Sequence, residues 1–300
     1  MYLLYSCLLL FLLLLIYMVI IEPGRLTATH YFIRKSKKTV LDVTDAVDMY
    51  QGKTSITLAQ LSDLHFSRWY PPRRLNGIIR QLLKTKPDMV IFTGDLIDDY
   101  SKWPHKKTTA LVEKLKKIPA PMGKIAILGN HDYQHNGHYF VKEVLKKAGF
   151  TVLTNDQIFF SNQQVSLTIV GLDDDLFGQP SYEFEDTLAE WHLLLTHEPD
   201  SIEKFPLIHH FDLVLAGHSH GGQIRLPFYR KRTLGSMKYT HGLYLVTDQT
   251  LLSVNTGIGM TTLPARLGVA PEITYYHLEK EDKAATLVSP DSASSKTTGP

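Results

Sequence analysis

Asp88-Met89-Val90-Ile91-Phe92-Thr93-Gly94-Asp95 is the stretch that decides the fold of this chain. It follows Pro87, contains four consecutive apolar residues, and ends in a glycine and a carboxylate. A continuous apolar run bounded by turn residues is typical of a strand buried on both faces of a sheet. Ligand sites in open α/β sheets lie beyond the carboxyl ends of such strands, and Gly94 permits the sharp turn that would bring Asp95 there. The stretch therefore predicts an α/β domain with a polar site at one edge of its sheet.

Four more predicted strands end in polar residues of the same kind. The groups that follow them are Asp63-Leu64-His65, Gly129-Asn130-His131-Asp132, Thr196-His197 and Gly217-His218-Ser219-His220. Asp, Asn and His are ligand side chains for borderline divalent metals. The single cysteine, Cys7, lies in the N-terminal apolar run, which excludes a cysteine zinc site, a disulfide and a catalytic thiol in the domain. A metal site would be built from nitrogen and oxygen donors.

Helical periodicity separates the first three of these strands. Apolar residues recur at helical spacing over 75–83 and predict a helix that stops before Pro87. Similar spacing over 110–118 and 140–148 indicates two more helices. The resulting β-α-β-α-β order predicts a mainly parallel sheet with right-handed crossovers. Strand patterns dominate over 151–278, which favours a second, mixed sheet.

The N-terminal segment Met1–Ile21 contains no charged side chain. As a helix it would extend about 32 Å, enough to cross the hydrocarbon core of a bilayer. A cleaved signal peptide, the alternative, would need a basic start, a shorter apolar core and a small-residue cleavage site. Cations follow the segment at Arg25, Arg34, Lys35, Lys37 and Lys38. The positive-inside rule then predicts a single-pass anchor with the domain in the cytoplasm, where the cations could also contact anionic lipid headgroups.

The chain has 300 residues and a formal net charge of +2, which gives no support to nucleic acid binding. We expect four regions along it. These are the transmembrane anchor at 1–21, a juxtamembrane connector at 22–54, a globular domain at 55–280 and a polar, disordered tail at 281–300. No pattern in the sequence indicates the oligomeric state.

The five polar groups together resemble the signature of the calcineurin-like metallophosphoesterases. Asp-x-His, Gly-Asp, Gly-Asn-His-Asp, a lone His and Gly-His-x-His occur in this order within residues 55–278. The resemblance implies a four-layer α/β/β/α sandwich, in which two mixed sheets pack face to face between helices. It also implies that two divalent metal ions activate a water molecule to cleave a phosphate ester.

The resemblance implies a role for each matching residue. Its metal ligands would be Asp63, His65 and His220 for one ion, Asn130, His197 and His218 for the other, and Asp95 as the bridge. A shared carboxylate offsets part of the repulsion between two cations about 3.5–4 Å apart. His131 would contact the phosphoryl group or protonate the leaving oxygen, and Asp132 would orient the imidazole of His131. We expect manganese, with iron or zinc as alternatives that suit the same donors.

The substrate is indicated by subgroup features. The segments 21–23, 221–227 and 263–273 resemble a bacterial, membrane-associated branch of the family that includes the chlamydial-type UDP-2,3-diacylglucosamine pyrophosphatase. Arg68 and Trp69 follow the first ligand group, where a cation could bind a diphosphate and an aromatic ring could contact a base or lipid. The alternative for this loop is that Trp69 packs on its own domain.

Three hypotheses follow. The first is a two-metal enzyme of the bacterial inner membrane that cleaves UDP-2,3-diacylglucosamine to the lipid monophosphate (lipid X) and UMP, a step of lipid A biosynthesis. The second is the same chemistry on another phosphodiester or nucleotide, and the third is a non-catalytic metal-binding scaffold. The complete ligand set beside His131 argues against the scaffold.

Two further stretches are less readily assigned. Asn255 stands where a small residue is expected, with no evident consequence. Asp173-Asp174-Asp175 could border a substrate cap, but an exposed acidic loop is the favoured interpretation.

Overall fold

A computed structural model describes residues 1–34, 39–42 and 54–279 of the chain. Within these residues the α-helices are α1 (Tyr2–Ile16), α2 (Leu75–Thr85), α3 (Thr108–Lys116), α4 (Asn130–Tyr133) and α5 (Gly137–Lys147). The strands are β1 (Thr27–Arg34), β2 (Thr39–Asp42), β3 (Thr54–Leu61), β4 (Met89–Thr93), β5 (Gly123–Ile127), β6 (Phe150–Val152), β7 (Asp156–Ser161), β8 (Ser166–Gly171), β9 (Trp191–Leu195), β10 (Leu213–Ala216), β11 (Arg225–Leu226), β12 (Tyr229–Arg230), β13 (Gly242–Leu245), β14 (Leu251–Val254) and β15 (Glu272–Glu279).

The strands form two large mixed sheets and one small hairpin. The first sheet has the order β2-β1-β15-β3-β4-β5-β6, in which β3 to β6 are parallel neighbours and β15 runs antiparallel to β3. The second sheet has the order β13-β14-β10-β9-β8-β7, with parallel pairing from β14 to β8 and an antiparallel strand at each edge. Strands β11 and β12 form the separate hairpin. The predicted fold class, two mixed sheets flanked by helices, is confirmed.

Strand β4 shows why its sequence is apolar throughout. Met89, Val90, Ile91 and Phe92 are each at most 1% exposed. Met89 and Ile91 pack in a cluster with residues of the second sheet such as Leu193, whereas Val90 and Phe92 pack in a cluster with α2, α3 and α5. Because side chains alternate across a strand, one continuous run supplies both cores.

The two sheets are covered differently on their outer faces. Helices α2, α3 and α5 cover the first sheet, as the periodicity predicted, and their apolar faces are buried against it. The second sheet is covered by loops and by short 3-10 helices at Pro199–Lys204 and Ile208–His210. Ile202 and Phe205 of this covering layer pack with Val214 of β10.

Two predictions about strand placement need correction. The segment 22–54, expected to be a connector, contains β1 and β2, and β1 pairs in parallel with β15 along its whole length. Its interior residues Tyr31, Phe32 and Ile33 are buried, so burial on both faces explains the weak alternation. Strand β15, expected in the second sheet, lies between β1 and β3, because Tyr275 and Tyr276 fill the cores on opposite faces of the first sheet.

The N-terminal helical segment Tyr2–Gly24 has a mean hydropathy of 2.9 and is long and apolar enough to cross a membrane. A signal sequence meets the same criteria of length and composition. Its most apolar window is 0% buried. Near its carboxyl end, the carbonyl oxygen of Met18 accepts a 2.9 Å hydrogen bond from the backbone nitrogen of Arg266. The segment is therefore joined to the domain near its carboxyl end, and almost all residues before that point are exposed. The expectations for Lys35, Lys37, Lys38 and the tail at 281–300 lie outside the described residues.

Candidate metal centre

The side chains predicted as metal ligands converge where the two sheets end. The first sheet leads into Asp63, His65, Asp95 and Asn130, and the second into His197, His218 and His220. In two groups, Asp63-His65-His220 and Asp63-Asp95-His197, one ligand atom from each residue lies within 4.8 Å of the others. Of the seven residues, six are buried and His218 is partly exposed. Donors that lie far apart in the sequence thus form one cluster.

Asp63, His65 and His220 form the first half of this cluster. The Nε2 atoms of His65 and His220 are 2.9 Å apart, and Oδ1 of Asp63 lies 3.8 Å and 3.4 Å from them. Two ring nitrogens that face each other at this distance can share only one proton between them. A divalent cation between the two nitrogens and the carboxylate fits this donor set.

Asn130, His197 and His218 form the second half. Oδ1 of Asn130 is 3.2 Å from Nε2 of His197 and 3.0 Å from Nδ1 of His218. The other ring nitrogens face backbone carbonyls, since Nδ1 of His197 is 2.7 Å from Thr93 O and Nε2 of His218 is 2.7 Å from Leu234 O. A carbonyl on one side of an imidazole holds the proton there and leaves the opposite nitrogen as a ligand.

Asp95 lies between the two halves. Its Oδ2 is 3.4 Å from Nε2 of His65 and 3.2 Å from Nε2 of His197. Its Oδ1 accepts a 2.8 Å hydrogen bond from the backbone nitrogen of His131. A carboxylate that contacts donors of both halves is placed for the bridging role that the resemblance implies.

The protonation equilibria of the cluster are strongly shifted. Burial alone would raise the pKa of Asp95, but the charge of His197 and other nearby imidazoles hold that pKa well below its usual range. Burial alone would lower the pKa of His65, but the nearby carboxylates of Asp63 and Asp98 raise the pKa to about 10. Burial lowers the pKa of His220 well below its usual value. Anionic carboxylates among neutral and cationic imidazoles make a site whose protons metal ions would replace.

Five of the seven predicted ligands have a strained backbone conformation. Positive φ angles between 42° and 67° occur at Asp63, His65, Asp95, His218 and His220. Residues other than glycine rarely adopt this left-handed conformation, which costs about 1–3 kcal/mol at each position. Gly94 has φ +99°, and a Cβ added there would lie 2.7 Å from the backbone nitrogen of Gly129. The sharp turn predicted at Gly94 is confirmed, and the turns after the strands aim the side chains into the cluster.

His131 borders the cluster, but Asp132 does not orient its ring as expected. The carboxylate of Asp132 accepts hydrogen bonds from the backbone nitrogens of Asp95 and Gly129, at 2.9 Å and 3.1 Å. The ring Nδ1 of His131 lies instead 2.7 Å from the carbonyl oxygen of Asp98. Asp132 therefore holds the turn that carries Asp95, because its buried carboxylate accepts hydrogen bonds from backbone N–H groups of that turn.

Asp98 is a site residue that sequence reasoning missed. Its backbone carbonyl faces His131, and its Oδ1 lies 3.4 Å from Nδ1 of His65, the ring nitrogen directed away from the cluster. A carboxylate on the outer nitrogen of a ligating imidazole fixes the ring and increases its basicity. Asp98 follows Asp95 by three positions, and this closeness in sequence to a predicted ligand could have identified it as a candidate site residue.

Arg266 is a second residue that was missed. It is 0% exposed, and Nη2 of its guanidinium donates to the carbonyls of Gly257 and Gly259 at 3.0 Å and 2.6 Å. The same nitrogen lies 3.4 Å from Nδ1 of His220. Arg266 lies in the segment 263–273, which the sequence analysis used only as a subgroup feature, so no role in the site was assigned to it.

Asn255, the unexpected residue, supports the same loop. Its Nδ2 donates to Oγ1 of Thr274 and its Oδ1 accepts from the backbone nitrogen of Gly257, both at 2.8 Å. A Cβ added at Gly257 would lie 2.7 Å from Cβ of Asp63, so this loop packs directly against a predicted ligand. Asn255 therefore helps to position the first half of the cluster.

The stretch Asp173-Asp174-Asp175 is not the exposed acidic loop that was expected. Asp174 is 0% exposed and accepts a 2.7 Å hydrogen bond from the backbone nitrogen of Phe177. Asp175 forms a 2.8 Å ion pair with Lys204. The carboxylates of Asp173 and Asp174 accept hydrogen bonds from backbone nitrogens of their own turn, and Leu176 of this turn lines a cavity above the cluster.

A cavity of about 430 Å³ opens above the cluster. Its floor includes Asp95, Asn130, His131, His218 and His220, and its wall includes Ile224, Tyr229, Lys231, Leu234 and Leu263. Trp69 lines a neighbouring cavity of about 50 Å³ together with Asp98. Arg68 is exposed and lines neither of these two cavities. The larger cavity combines a polar floor with a mainly apolar wall.

The sequence is similar to a known family over more than half of the chain. The calcineurin-like phosphoesterase family model matches residues 56–222. The chain is 35% identical over 271 residues to the uncharacterized metallophosphoesterase YkuE of Bacillus subtilis (strain 168), covering 86% of this chain and 87% of YkuE. This chain belongs to the calcineurin-like phosphoesterase family. It is accordingly a metal-dependent hydrolase of phosphate esters, and its His/Asp cluster could hold the two metal ions that the family uses.

Two further similar proteins share a smaller fraction of identical residues with this chain. This phosphoesterase is 30% identical over 225 residues to phosphodiesterase YaeI of Escherichia coli (strain K12), covering 73% of this chain and 80% of YaeI. Among solved structures, a dimetal phosphatase from Danio rerio aligns with a TM-score of 0.45 and 11% identity, covering 76% of this chain and 94% of that protein.

Proposed function

We propose that this phosphoesterase is a dinuclear-metal phosphodiesterase that acts at a membrane surface. The observation that carries the chemistry is the placement of Asp95 between two sets of donors. One divalent cation would be held by Asp63, His65 and His220, the other by Asn130, His197 and His218, and both by Asp95. When bound, the cations would stabilise the phosphoryl oxygens as Lewis acids and lower the pKa of water at the site.

The donors are proposed to bind manganese, with iron or zinc as alternatives. Imidazole, carboxylate and amide donors suit these borderline ions, whereas magnesium favours sites composed of oxygen ligands. The carbonyls of Thr93 and Leu234 direct the ligating nitrogens of His197 and His218 without adding charge. The protein thus keeps its negative charge on Asp63 and Asp95, where the cations would lie.

His131 is proposed as the residue that acts on the leaving group. The carbonyl of Asp98 holds its Nδ1, and the ring borders the floor of the cavity, with Nε2 3.5 Å from Oγ1 of Thr261. Nε2 is then available to deliver a proton to the departing oxygen or to contact a phosphoryl oxygen. Asp132 supports this arrangement through the backbone of the Asp95 turn.

The proposed substrate is UDP-2,3-diacylglucosamine, cleaved at its pyrophosphate to 2,3-diacylglucosamine 1-phosphate and UMP. The apolar wall of the cavity supports an acylated substrate, and the N-terminal segment Tyr2–Gly24 supports an enzyme held at a membrane. Similarity to phosphodiesterase YaeI favours the alternative, another phosphodiester cleaved by the same centre.

We infer further that residues 1–21, within the apolar helical segment Tyr2–Gly24, are a retained anchor and that the domain faces the cytoplasm of a bacterial inner membrane. The span is followed by Arg25 and Arg34, which supports this orientation. Arg68 and Trp69 are also proposed to contact the substrate. The proposed contact of Trp69 is supported by its exposed side chain, which lines the smaller cavity.

Phosphorus NMR with the full chain in detergent and Mn²⁺ tests the proposal. Appearance of UMP and the lipid monophosphate would support the specific substrate. Intact UDP-diacylglucosamine together with hydrolysis of bis(p-nitrophenyl) phosphate would exclude that substrate and leave the phosphodiesterase. Absence of turnover with manganese, iron or zinc would leave only the scaffold hypothesis.

A further inference from the structure

We propose that residues 225–232, here named the mouth hairpin, dock on the lipid bilayer and present a membrane-embedded phosphodiester to the metal centre. The inference rests on the proposed function and identifies the surface through which the substrate arrives. The mouth hairpin contains β11, the turn that follows it, and β12.

The composition of the mouth hairpin suits a membrane interface. Its apolar side chains are exposed to 47% at Leu226, 102% at Phe228 and 61% at Tyr229. Its cations are Arg225, Arg230, Lys231 and Arg232, and residues 213–247 contain no Asp or Glu. Exposed aromatic and aliphatic side chains among cations are typical of segments that lie in the headgroup region of anionic bilayers.

The mouth hairpin lies beside the end of the N-terminal helical segment. The backbone nitrogen of Arg225 donates a 2.7 Å hydrogen bond to the carbonyl of Leu267. The backbone nitrogen of the preceding residue, Arg266, donates to the carbonyl of Met18. Because consecutive Cα atoms are only about 3.8 Å apart, the hairpin and the helix are attached to neighbouring points of one loop.

This attachment determines what can cover the hairpin. The segment before Met18 extends about 25 Å as a helix, close to the roughly 30 Å thickness of a hydrocarbon core. Glu22 and Pro23, beyond Met18, are buried against the domain. A bilayer that contains the apolar helix would therefore begin near Met18, next to the mouth hairpin. This continuity favours lipid as its partner over a second protein.

The mouth hairpin also leads into the cavity. Tyr229 and Lys231 line the cavity wall, and Leu234 lines it while its carbonyl contacts the ring of His218. The 56% exposed Leu263 lies on the wall as well, in the loop that contains Arg266. An ester whose acyl chains stay in the bilayer could thus place its phosphate on the floor without leaving the membrane.

Site-specific labelling tests the contact directly. Cys7→Ser removes the single cysteine, so Phe228→Cys in this background carries one environment-sensitive fluorophore. Leu188→Cys is the matched control, because Leu188 is also 102% exposed but precedes the amino end of β9, opposite the end that leads to His197. The labelled full chains are placed in nanodiscs of phosphatidylcholine and phosphatidylglycerol, with or without spin-labelled phosphatidylcholine. Quenching several-fold stronger at position 228 is expected, and equal quenching at both positions would overturn the proposal.

Kinetics with two esters provide a second readout. Leu226 and Phe228 do not line the cavity, so the double variant Leu226→Ser/Phe228→Ser should cleave soluble bis(p-nitrophenyl) phosphate at the unaltered rate. Its rate on hexadecyl p-nitrophenyl phosphate embedded in the nanodisc should fall about tenfold, because two apolar membrane contacts are removed. Equal rates with the unaltered chain on both esters, or an equal loss on both, would refute docking by the mouth hairpin. If the unaltered metal-loaded chain cleaves neither ester, the proposed function fails, and the quenching comparison still decides the docking.

Discussion

The floor and the rim of the cavity differ in burial, polarity and the secondary structure that carries them. The floor consists of mostly buried polar side chains that follow short core strands, held in left-handed turns and by backbone hydrogen bonds. The rim, formed by the mouth hairpin and Leu263, consists of exposed apolar and basic residues on two-residue strands and loops. The difference indicates that rigid elements determine the chemistry, while short exposed segments determine which esters reach it. Substitutions in the floor should therefore reduce hydrolysis of every phosphate ester, whereas substitutions in the rim should reduce hydrolysis of only some esters.

The largest effect is expected for Asp95→Ala. Since the carboxylate contacts donors of both halves, its loss should reduce the bound metal and abolish hydrolysis of every phosphodiester. Elemental analysis and nitrophenol release measure the two quantities. Asp156→Ala, an exposed carboxylate on the edge strand β7, is the control. Full metal content and turnover in Asp95→Ala would contradict the placement of the centre.

His131→Ala should lower turnover about 10²–10⁴-fold while the metal content stays unchanged. The reason is that the His131 ring borders the floor without being a predicted ligand. His135→Ala, which removes an exposed imidazole near Asp99, should retain full activity. A turnover for His131→Ala equal to that of the control would remove this residue from the chemistry.

Asp98→Asn should weaken metal binding about 10–100-fold, because the carboxylate supports His65 from outside the cluster. Turnover at saturating metal should largely recover. Asp99→Asn changes the neighbouring carboxylate, which pairs with Lys102, and should leave metal affinity unaltered. Metal titrations of both variants distinguish support of a ligand from a general effect of charge, and identical titration curves would count against Asp98.

Gly94→Ala should lower the free energy of unfolding by about 1–3 kcal/mol. A methyl group there would meet the backbone of Gly129 at 2.7 Å, and φ is +99°. Gly77→Ala is the contrasting variant, since no atom lies within 4 Å of the added Cβ and the residue is in α2. It should raise stability by about 0.5–1 kcal/mol. Urea unfolding measures both, and equal stability of the two variants would contradict the turn geometry.

The smallest effect is expected at the rim, for Trp69→Ala. The side chain is 70% exposed, so stability should change by less than about 0.5 kcal/mol. Loss of an aromatic contact with a base should raise KM for a uridine-containing diester roughly fivefold at unchanged kcat. Arg68→Ala, outside both cavities, is the comparison. A larger rise in KM for Arg68→Ala than for Trp69→Ala would indicate that Arg68, and not Trp69, makes the stronger contact with the substrate.

The floor was largely predictable because its signals are local. The apolar run of β4 and the helical spacing over 75–83 are short-range patterns, and polar groups follow five strands directly. Residues at the carboxyl ends of neighbouring strands must meet, so their convergence follows from the strand order. The role of Asp132 was not predictable in this way, because its partners are backbone groups of another turn.

The rim and the outer parts of the sheets carried weaker signals. The pairing of β1 with β15 joins segments from opposite ends of the chain, and no local pattern specifies it. Arg266 acts through carbonyls of a loop whose path depends on the finished fold. The two strands of the mouth hairpin are too short for alternation to be recognised.

The hydrogen bond between Arg266 and Met18 has a kinetic consequence. On the proposed placement it keeps the cavity at constant height over the lipid, so enzyme and substrate meet by lateral diffusion in two dimensions. The reaction rate would then follow the mole fraction of the ester among the lipids and not its amount per volume of solution. Diluting the ester with inert phosphatidylcholine would slow hydrolysis even when the total concentration of ester is unchanged.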